Sequence, residues 1–235
     1  MIPRRQFLSI TAATLAGGAL AACNANPKGA RGLLAFAGRQ TEKVETALFR
    51  HRAEDRVPMD AIVSGMQFPQ YFISRSVPIW DPAVRGEWRL EVTGAVRRPL
   101  SLTLSELMGL PAVRQKVDHF CVEGWNARAE WWGVRVSELA RLAQLTSDAQ
   151  VVDFQSFDDG YHESWDIDSA LHRQTIIAYA KDGAMLPPGW GAPARVHSPV
   201  KLGYKNTKYL TRIVFQPQRN GGYWSDRGYE WYGGT

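Results

Sequence analysis

Cysteine is nearly absent, with two in 235 residues, at positions 23 and 121. So few exclude a scaffold stapled by disulfides. No Cys-x-x-Cys or His-x-x-x-His spacing occurs, so a closed zinc site has nothing to build it. There is also no Cys-x-x-Cys-His for an attached haem. Neither G-x-G-x-x-G nor G-x-x-x-x-G-K-[ST] is present, which removes the dinucleotide and P-loop readings. A surplus of one charge sign is missing too. The 28 Lys and Arg face 23 Asp and Glu, for a formal charge of +5. That balance is too even for a nucleic-acid footprint, and no nucleic acid is expected as a partner. No apolar run reaches membrane-spanning length, because the one long charge-free stretch, Ser9 to Asn26, is broken by Ser, Thr and Gly. What the chain does have is 45% hydrophobic residues and nine tryptophans, enough for one globular core.

The first residues read as an address. Arg4-Arg5 is followed by Phe7-Leu8 and a charge-free segment from Ile10 to Leu20, the layout of a twin-arginine export signal. That route moves folded proteins and is used where a cofactor must be inserted before export, so periplasmic work on a complex redox cofactor is the expectation. Leu20-Ala21-Ala22-Cys23 resembles a lipobox, which would leave Cys23 lipidated at the start of the mature chain. Ordinary signal-peptidase cleavage beside Cys23 is the other open reading. The expected organisation is a signal over 1–22, a tether and N-terminal helix over 23–56, and a catalytic domain over 57–235.

Asn24 to Gly38 is small, basic and Gly/Ala-rich and reads as tether. Val44, Ala47, Leu48 and His51 have helical spacing, predicting a helix over Thr41–Arg52. Pro58 and Pro69 punctuate a loop. Alternation predicts a strand at Glu87–Val92 ended by Gly94. Further strands are expected at Val117–Val122, Val151–Phe154, Ile176–Ala180, Arg195–His197 and Leu210–Phe215. Short helices are expected over Leu102–Met108, after a Ser137 cap, and over Asp168–His172. Without strict strand–helix alternation or internal repeats, the fold class is α+β with a mixed sheet in a single domain.

The chemistry concentrates in Asp118-His119-Phe120-Cys121-Val122-Glu123-Gly124-Trp125-Asn126. Cys121 admits three readings from residue type alone. It is a buried small hydrophobe, a nucleophile activated by His119 in a cysteine hydrolase or peroxidase, or a soft metal ligand. As the single thiolate of a metal site, it needs most of the coordination sphere to come from elsewhere.

Phe120 to Asn126, with Trp132-Gly133-Val134 behind it, resembles the C-V-E-[GA]-W-[SN] signature of the sulfite oxidase superfamily. Within it, the chain is most similar to the branch of periplasmic protein-methionine-sulfoxide reductase catalytic subunits. Other elements follow in family order: the entry strand ending at Gly94, Leu102–Leu107, Val152–Ser156 before Asp159-Gly160-Tyr161, Gly191-Ala192-Pro193-Ala194-Arg195, and Lys201 to Lys208. The resemblance implies molybdenum on one molybdopterin, with Cys121 as the protein ligand. It implies cofactor contacts at Phe72, Ser74, Arg75, Ser76, Ser156, Arg195, Lys205, Asn206, Thr207 and Lys208. The cationic residues among these suit a terminal phosphate. The family commonly has Asn or His where this chain has Trp190, and His197 is a candidate replacement contact.

Two further residues are candidates for proton handling, Glu123 beside the ligand and Tyr161 after the Asp159-Gly160 turn. His119 is a candidate base or a residue that orders the ligand strand. A carboxylate next to the ligand disfavours a dianion, and Arg128 offsets it only partly, so a neutral sulfoxide is the expected substrate. Sulfite-type oxidation on the same centre, and a cofactor-free binding module, remain the alternatives. The sequence ends soon after Trp231-Tyr232, so no immunoglobulin-like dimerisation domain is expected. The expectation is a monomeric catalytic subunit that exchanges electrons with a membrane-bound haem or quinol-linked partner.

Overall fold

The structure, a computed structural model, describes residues 27–48 and 70–235. The export signal, Cys23, His51 and the prolines at 58 and 69 lie outside the described residues. The chain divides into two compact units at Ala47/Leu48. Among the described residues, the helix α1 begins in the first and spans Pro27–Leu48. The helix expected from Thr41 thus begins much earlier, within the segment read as tether. Pro27 at the first helical position has no N–H to lose and a φ already suited to the helix. Alanine and leucine then outweigh the glycines at 29, 32 and 38. Among the described residues no helix is long and apolar enough to cross a membrane.

The second unit holds α2 (Pro82–Arg85), β1 (Arg89–Gly94), β2 (Leu100–Thr103), α3 (Leu104–Met108), β3 (Ala112–Phe120) and β4 (Asn126–Arg135). There follow α4 (Val136–Leu142), β5 (Val151–Ser156), β6 (His162–Asp166), α5 (Ile167–Ala170), β7 (Ile176–Lys181), β8 (Ala184–Met185), β9 (Arg195–His197) and β10 (Leu210–Gln216). One sheet has the order β2-β1-β10-β5-β6, and the other β3-β4-β7-β8 with β9 on β7. Among the described residues only β1 and β10 pair in parallel, so the first sheet is mixed, as the α+β reading requires.

The main core lies between the sheets. Leu90 and Val92 of β1, Val152 and Phe154 of β5, and Ile213 and Phe215 of β10 meet Val134, Ile177, Tyr179 and Val196 of the second sheet. Val136, Leu139 and Ala140 of α4 close one side. Each large apolar side chain buried in this way contributes roughly 1.5–3 kcal/mol. Residues of opposite parity on the second sheet, Ala127, Ala129, Trp131, Ile176 and Ala178, form a smaller cluster with Leu186.

Several boundaries differ from the sequence expectation. Leu102 and Thr103 belong to β2, and the helix starts two residues later than expected, at Leu104. Thr103 accepts from Glu106 N–H while Glu106 accepts from Thr103 N–H, a capping box that fixes the start. Ser137 lies inside α4 and does not cap it. Arg135 is the cap residue and offers no side-chain bond; the Val136 N–H instead donates to Thr175 O at 3.1 Å. β4 is absent from the sequence expectation because its inward positions include Ala127 and Ala129, whose small side chains hide the alternation.

Gly133 sits at an irregularity in the β4–β7 register. A Cβ there would meet Ile177 O at 2.1 Å. Gly133→Ala is therefore expected to destabilise the chain by about 1–3 kcal/mol, as overpacking does. A thermal melt at wild-type Tm would contradict this close approach.

Candidate active site

The β3–β4 hairpin turns through Cys121–Trp125. Cys121 N donates to Trp125 O at 2.9 Å, and Gly124 N donates to Cys121 O at 3.0 Å. Gly124 has φ +86°, the left-handed region that side chains other than glycine's rarely adopt. The strand thus ends at Phe120 and does not run on to Val122. Glu123 approaches Cys121 through a turn and not along an extended face. Cys121 Sγ lies 3.9 Å from Glu123 Oε2.

Around this turn is a cavity of about 420 Å³, to which several separate segments contribute. The hairpin supplies His119, Cys121, Val122, Glu123 and Trp125, and the β5–β6 connection supplies Asp158 and Tyr161. Gly189 and Trp190 come from a 3-10 turn, Arg195 from β9, and Gly203, Tyr204, Asn206, Lys208 and Tyr209 from the run into β10. Tyr223, Trp224 and Tyr229 form one wall, and Tyr71, Phe72 and Ile73 lie across another.

The floor is cationic. The Arg195 guanidinium is buried and donates to the carbonyls of Val196, Trp190 and Asn206 at 3.1–3.3 Å. Burial holds its pKa down at about 10. Lys208 Nζ donates to Gly189 O at 3.3 Å. Burial first, and then the Arg195 charge, hold Lys208 down at about 7, against a carboxylate contribution from Asp158. Two cations here find carbonyls where an anion would satisfy them better. Thr207 Oγ1 is also buried, with no hydrogen-bond partner among the described residues. This donor set fits a terminal phosphate, and the half-buried Cys121 thiol suits a soft metal. Burial raises the thiol pKa above its ordinary value, so the free sulfur keeps its proton until a metal displaces it. Among the described residues no three His, Cys, Asp or Glu side chains are grouped to hold a metal ion. A bound metal therefore has to bring the rest of its ligands with it.

Of the residues expected from sequence, Phe72, Cys121, Glu123, Tyr161, Arg195, Asn206 and Lys208 line the cavity. Ser74 and Ser156 stand one step behind it. Ser74 N donates to Asp158 at 2.8 Å, and Asp158 N donates to Ser156 Oγ at 2.9 Å. Thr207 is buried beneath the floor. Arg75 and Ser76 are exposed and do not line it. The structure does not bring Lys205 to the cavity lining. Its ammonium is wholly buried 2.6 Å from Glu163 Oε2, because the 3-10 turn Gly203–Lys205 directs it into the core. Nor does it bring His197 there. It is fully buried outside the cavity lining, stacked on Trp131 at 4.1 Å and on His119 at 5.5 Å, so it does not replace the polar contact that Trp190 lacks. The Trp190 ring lies under Lys181 Nζ at 4.3 Å.

His119 lines the cavity, and burial holds its pKa down at about 3, so its imidazole is neutral at ordinary pH. Tyr161 O–H donates to Tyr204 O, and burial keeps its proton on well above pH 10. Arg128 is paired in bidentate fashion with Asp118 at 2.7 and 3.0 Å, so it does not face the cavity as a free charge.

Three contributors were not among the residues expected from sequence. Tyr71 O–H donates to Glu123 Oε2 at 2.7 Å, beside Trp125 Nε1 at 3.0 Å. These two bonds lower the Glu123 pKa and keep the carboxylate ionised. Buried Asp158 accepts Ile73 N at 2.7 Å and Ser74 N at 2.8 Å, fastening the 71–74 segment across the cavity. The Asp159-Gly160 turn beside Asp158 is the only local hint of it. Glu163 holds the far wall, accepting Trp224 N at 2.8 Å and Ser225 Oγ at 3.1 Å.

The family described as "Oxidoreductase molybdopterin binding domain" matches residues 75–224. The "Putative protein-methionine-sulfoxide reductase subunit YedZ1" of Azospira oryzae is 41% identical over 176 residues, covering 72% of this chain and 67% of that protein. The "Uncharacterized oxidoreductase YuiH" of Bacillus subtilis is 30% identical over 158 residues, covering 67% of this chain and 78% of its own. Among solved structures, the sulfane dehydrogenase SoxCD of Paracoccus pantotrophus superposes with a TM-score of 0.53 at 20% identity. That likeness, which concerns the fold, covers 56% of this chain and 38% of the other.

Proposed function

Since the chain belongs to the molybdopterin-binding oxidoreductases of the sulfite oxidase superfamily, we propose that Cys121 holds the molybdenum and that the enzyme reduces a neutral sulfoxide. The cofactor supplies two-electron oxygen-atom transfer when bound. The protein's part is to hold the cofactor, shape access and deliver protons. Reducing a sulfoxide to its thioether and water takes two electrons and two protons, so the surroundings of the sulfur must manage both.

The observation that carries this reading is the Glu123 carboxylate, 3.9 Å from Cys121 Sγ and fixed by Tyr71 and Trp125. An oxoanion approaching that position meets a like charge, and Arg128 is already committed to Asp118. A neutral S=O group meets no such barrier. Aromatic walls from Tyr71, Trp125, Tyr223, Trp224 and Tyr229 suit the thioether carbons and sulfur of such a substrate. Tyr161 orders the Tyr204 backbone through its hydroxyl and stays protonated. Tyr71 directs its proton at Glu123. The name of the Azospira relative, a methionine-sulfoxide reductase subunit, supports the same substrate class.

In this reading residues 1–22 are a twin-arginine signal, 23–56 the tether and N-terminal helix, and 57–235 the catalytic domain, which encloses the family match. The enzyme works in the periplasm as a monomeric catalytic subunit, with Cys23 lipidated. Electrons come from a membrane-bound haem or quinol-linked subunit, and the word "subunit" in the relative's name supports a partnered system.

In this reading Arg195, Asn206, Thr207 and Lys208 would hold the phosphate end of the cofactor. A charge-assisted contact contributes ~1.5–3 kcal/mol. Lys208→Ala should therefore weaken cofactor retention by roughly tenfold to a hundredfold. Turnover per molybdenum should stay near wild type. Full loading with slow turnover would move Lys208 to substrate binding and favour an anionic substrate.

The pH dependence has a definite sign. In the cofactor-free chain Lys208 titrates near 7 when folded, against an ordinary 10.5. Its burial therefore opposes folding most below pH 7, and the penalty is relieved as pH rises from about 7 to 10.5. Anion binding has the opposite trend, because it needs the ammonium. Sulfate, a dianion throughout this range, should bind the cofactor-free chain more weakly at about pH 9 than at about pH 6, and Lys208→Arg should flatten that difference. Equal affinity for wild type at both pH values would contradict the assignment.

A further inference from the structure

Helix α1 carries large apolar side chains in the open: Phe36, Val44 and Leu48 are 54%, 56% and 60% exposed. In the sequence, Ala37, Val44 and Leu48 recur at the seven- and four-residue spacings that place them on one stripe of an α-helix. Arg39, Glu42, Lys43 and Glu45 fall elsewhere on the wheel, and over Pro27–Leu48 the sequence holds four basic residues against two acidic ones. The helix is not apolar enough to span a bilayer. Large amphipathicity, low net hydrophobicity and a basic polar face are the features of a helix that lies in a membrane interface.

We infer that α1 rests in the interface of an anionic membrane, with the Val44–Leu48 stripe among the acyl chains and the basic residues at the headgroups. Charge favours lipid over a second copy of the chain, since pairing two such helices brings like net charge together, whereas acidic headgroups complement it. Position favours it too, because the helix begins at Pro27, a few residues after Cys23 in the sequence. The inference rests on the proposed signal only for where the mature chain starts. It makes α1 an attachment in its own right, a second signal beside any lipid, and stable anchoring generally takes two.

The test uses the molybdenum-loaded chain 24–235, which lacks both the signal and Cys23, so that neither contributes. It is sedimented with vesicles of phosphatidylglycerol and phosphatidylethanolamine, and with phosphatidylcholine vesicles alone. Binding to the anionic vesicles that weakens with added salt is the expected result. Arg39→Glu with Lys43→Glu should lower the bound fraction about tenfold or more, and Val44→Glu with Leu48→Glu should do the same. Sulfoxide turnover with a reduced viologen dye should be unchanged in both, confirming a folded catalytic domain. Three results would overturn the inference: no binding to anionic vesicles, equal binding to phosphatidylcholine, or a dimer broken by Val44→Glu with Leu48→Glu in place of vesicle binding. Whether Cys23 is lipidated is read separately, from the mass of the N-terminal peptide of exported wild type. Its failure leaves the vesicle result intact.

Discussion

Replacing Cys121 by serine is expected to bring sulfoxide turnover to background, a loss on the order of 10³ or more, as when a group acting on the transition state is removed. A serine hydroxyl is a hard donor that keeps its proton at neutral pH, so it does not replace a thiolate on a soft metal. The fold should survive, because the structural bonds at this position are made by the main chain. Cys121 N donates to Trp125 O and Cys121 O accepts from Gly124 N, and both remain in the variant. Turnover per chain beside a thermal melt checks both halves. Wild-type activity in Cys121→Ser would remove the metal-ligand assignment. An equal loss of Tm would show that the thiol is a packing residue. The cysteine-nucleophile reading draws no support from the structure, since the thiol faces Glu123 and burial holds His119 down at about 3, too weak a base to take the thiol proton.

The second large effect is on stability. Lys205→Ala leaves the fully buried Glu163 carboxylate without its ammonium partner. Breaking such a pair costs about 3–5 kcal/mol. For a chain of this size that lowers Tm by roughly 10 °C or more. Glu163 also holds Trp224 N and Ser225 Oγ, so the wall formed by Tyr223, Trp224 and Tyr229 should loosen as well. Molybdenum per folded chain should nevertheless stay near wild type, in contrast to Lys208→Ala. A Lys205→Ala chain that melts like wild type but loses its molybdenum would return Lys205 to the phosphate site that the family resemblance implied.

Lys205 and Lys208 show where sequence reading stops. Both sit in one basic run, and nothing in the spacing separates them. Only the 3-10 turn at Gly203–Lys205 sends the first toward Glu163 and leaves the second on the cavity floor. Cys121 and Glu123 stood out because both lie within the one motif that carries the family resemblance, and the structure places both on the cavity. Tyr71 and Asp158 did not, because their roles depend on bonds across 52 and 85 residues of chain. The fold divides in the same way. β1 announces itself through Leu90 and Val92 alternating with exposed positions, whereas β4 buries Ala127 and Ala129 and carries no such contrast. The long α1 was hidden by its glycines, which read locally as a flexible tether.

The most direct test of the account is the ratio, per bound molybdenum, of kcat/KM for reduction of methionine sulfoxide to that for oxidation of sulfite by the same preparation. The Glu123 carboxylate, held by Tyr71 and Trp125 beside Cys121, predicts a ratio well above one. It also predicts a fall in that ratio in Glu123→Gln, where the like charge facing an oxoanion is gone. A fully loaded enzyme that oxidises sulfite faster than it reduces the sulfoxide, with a ratio indifferent to Glu123→Gln, would contradict the account at its centre.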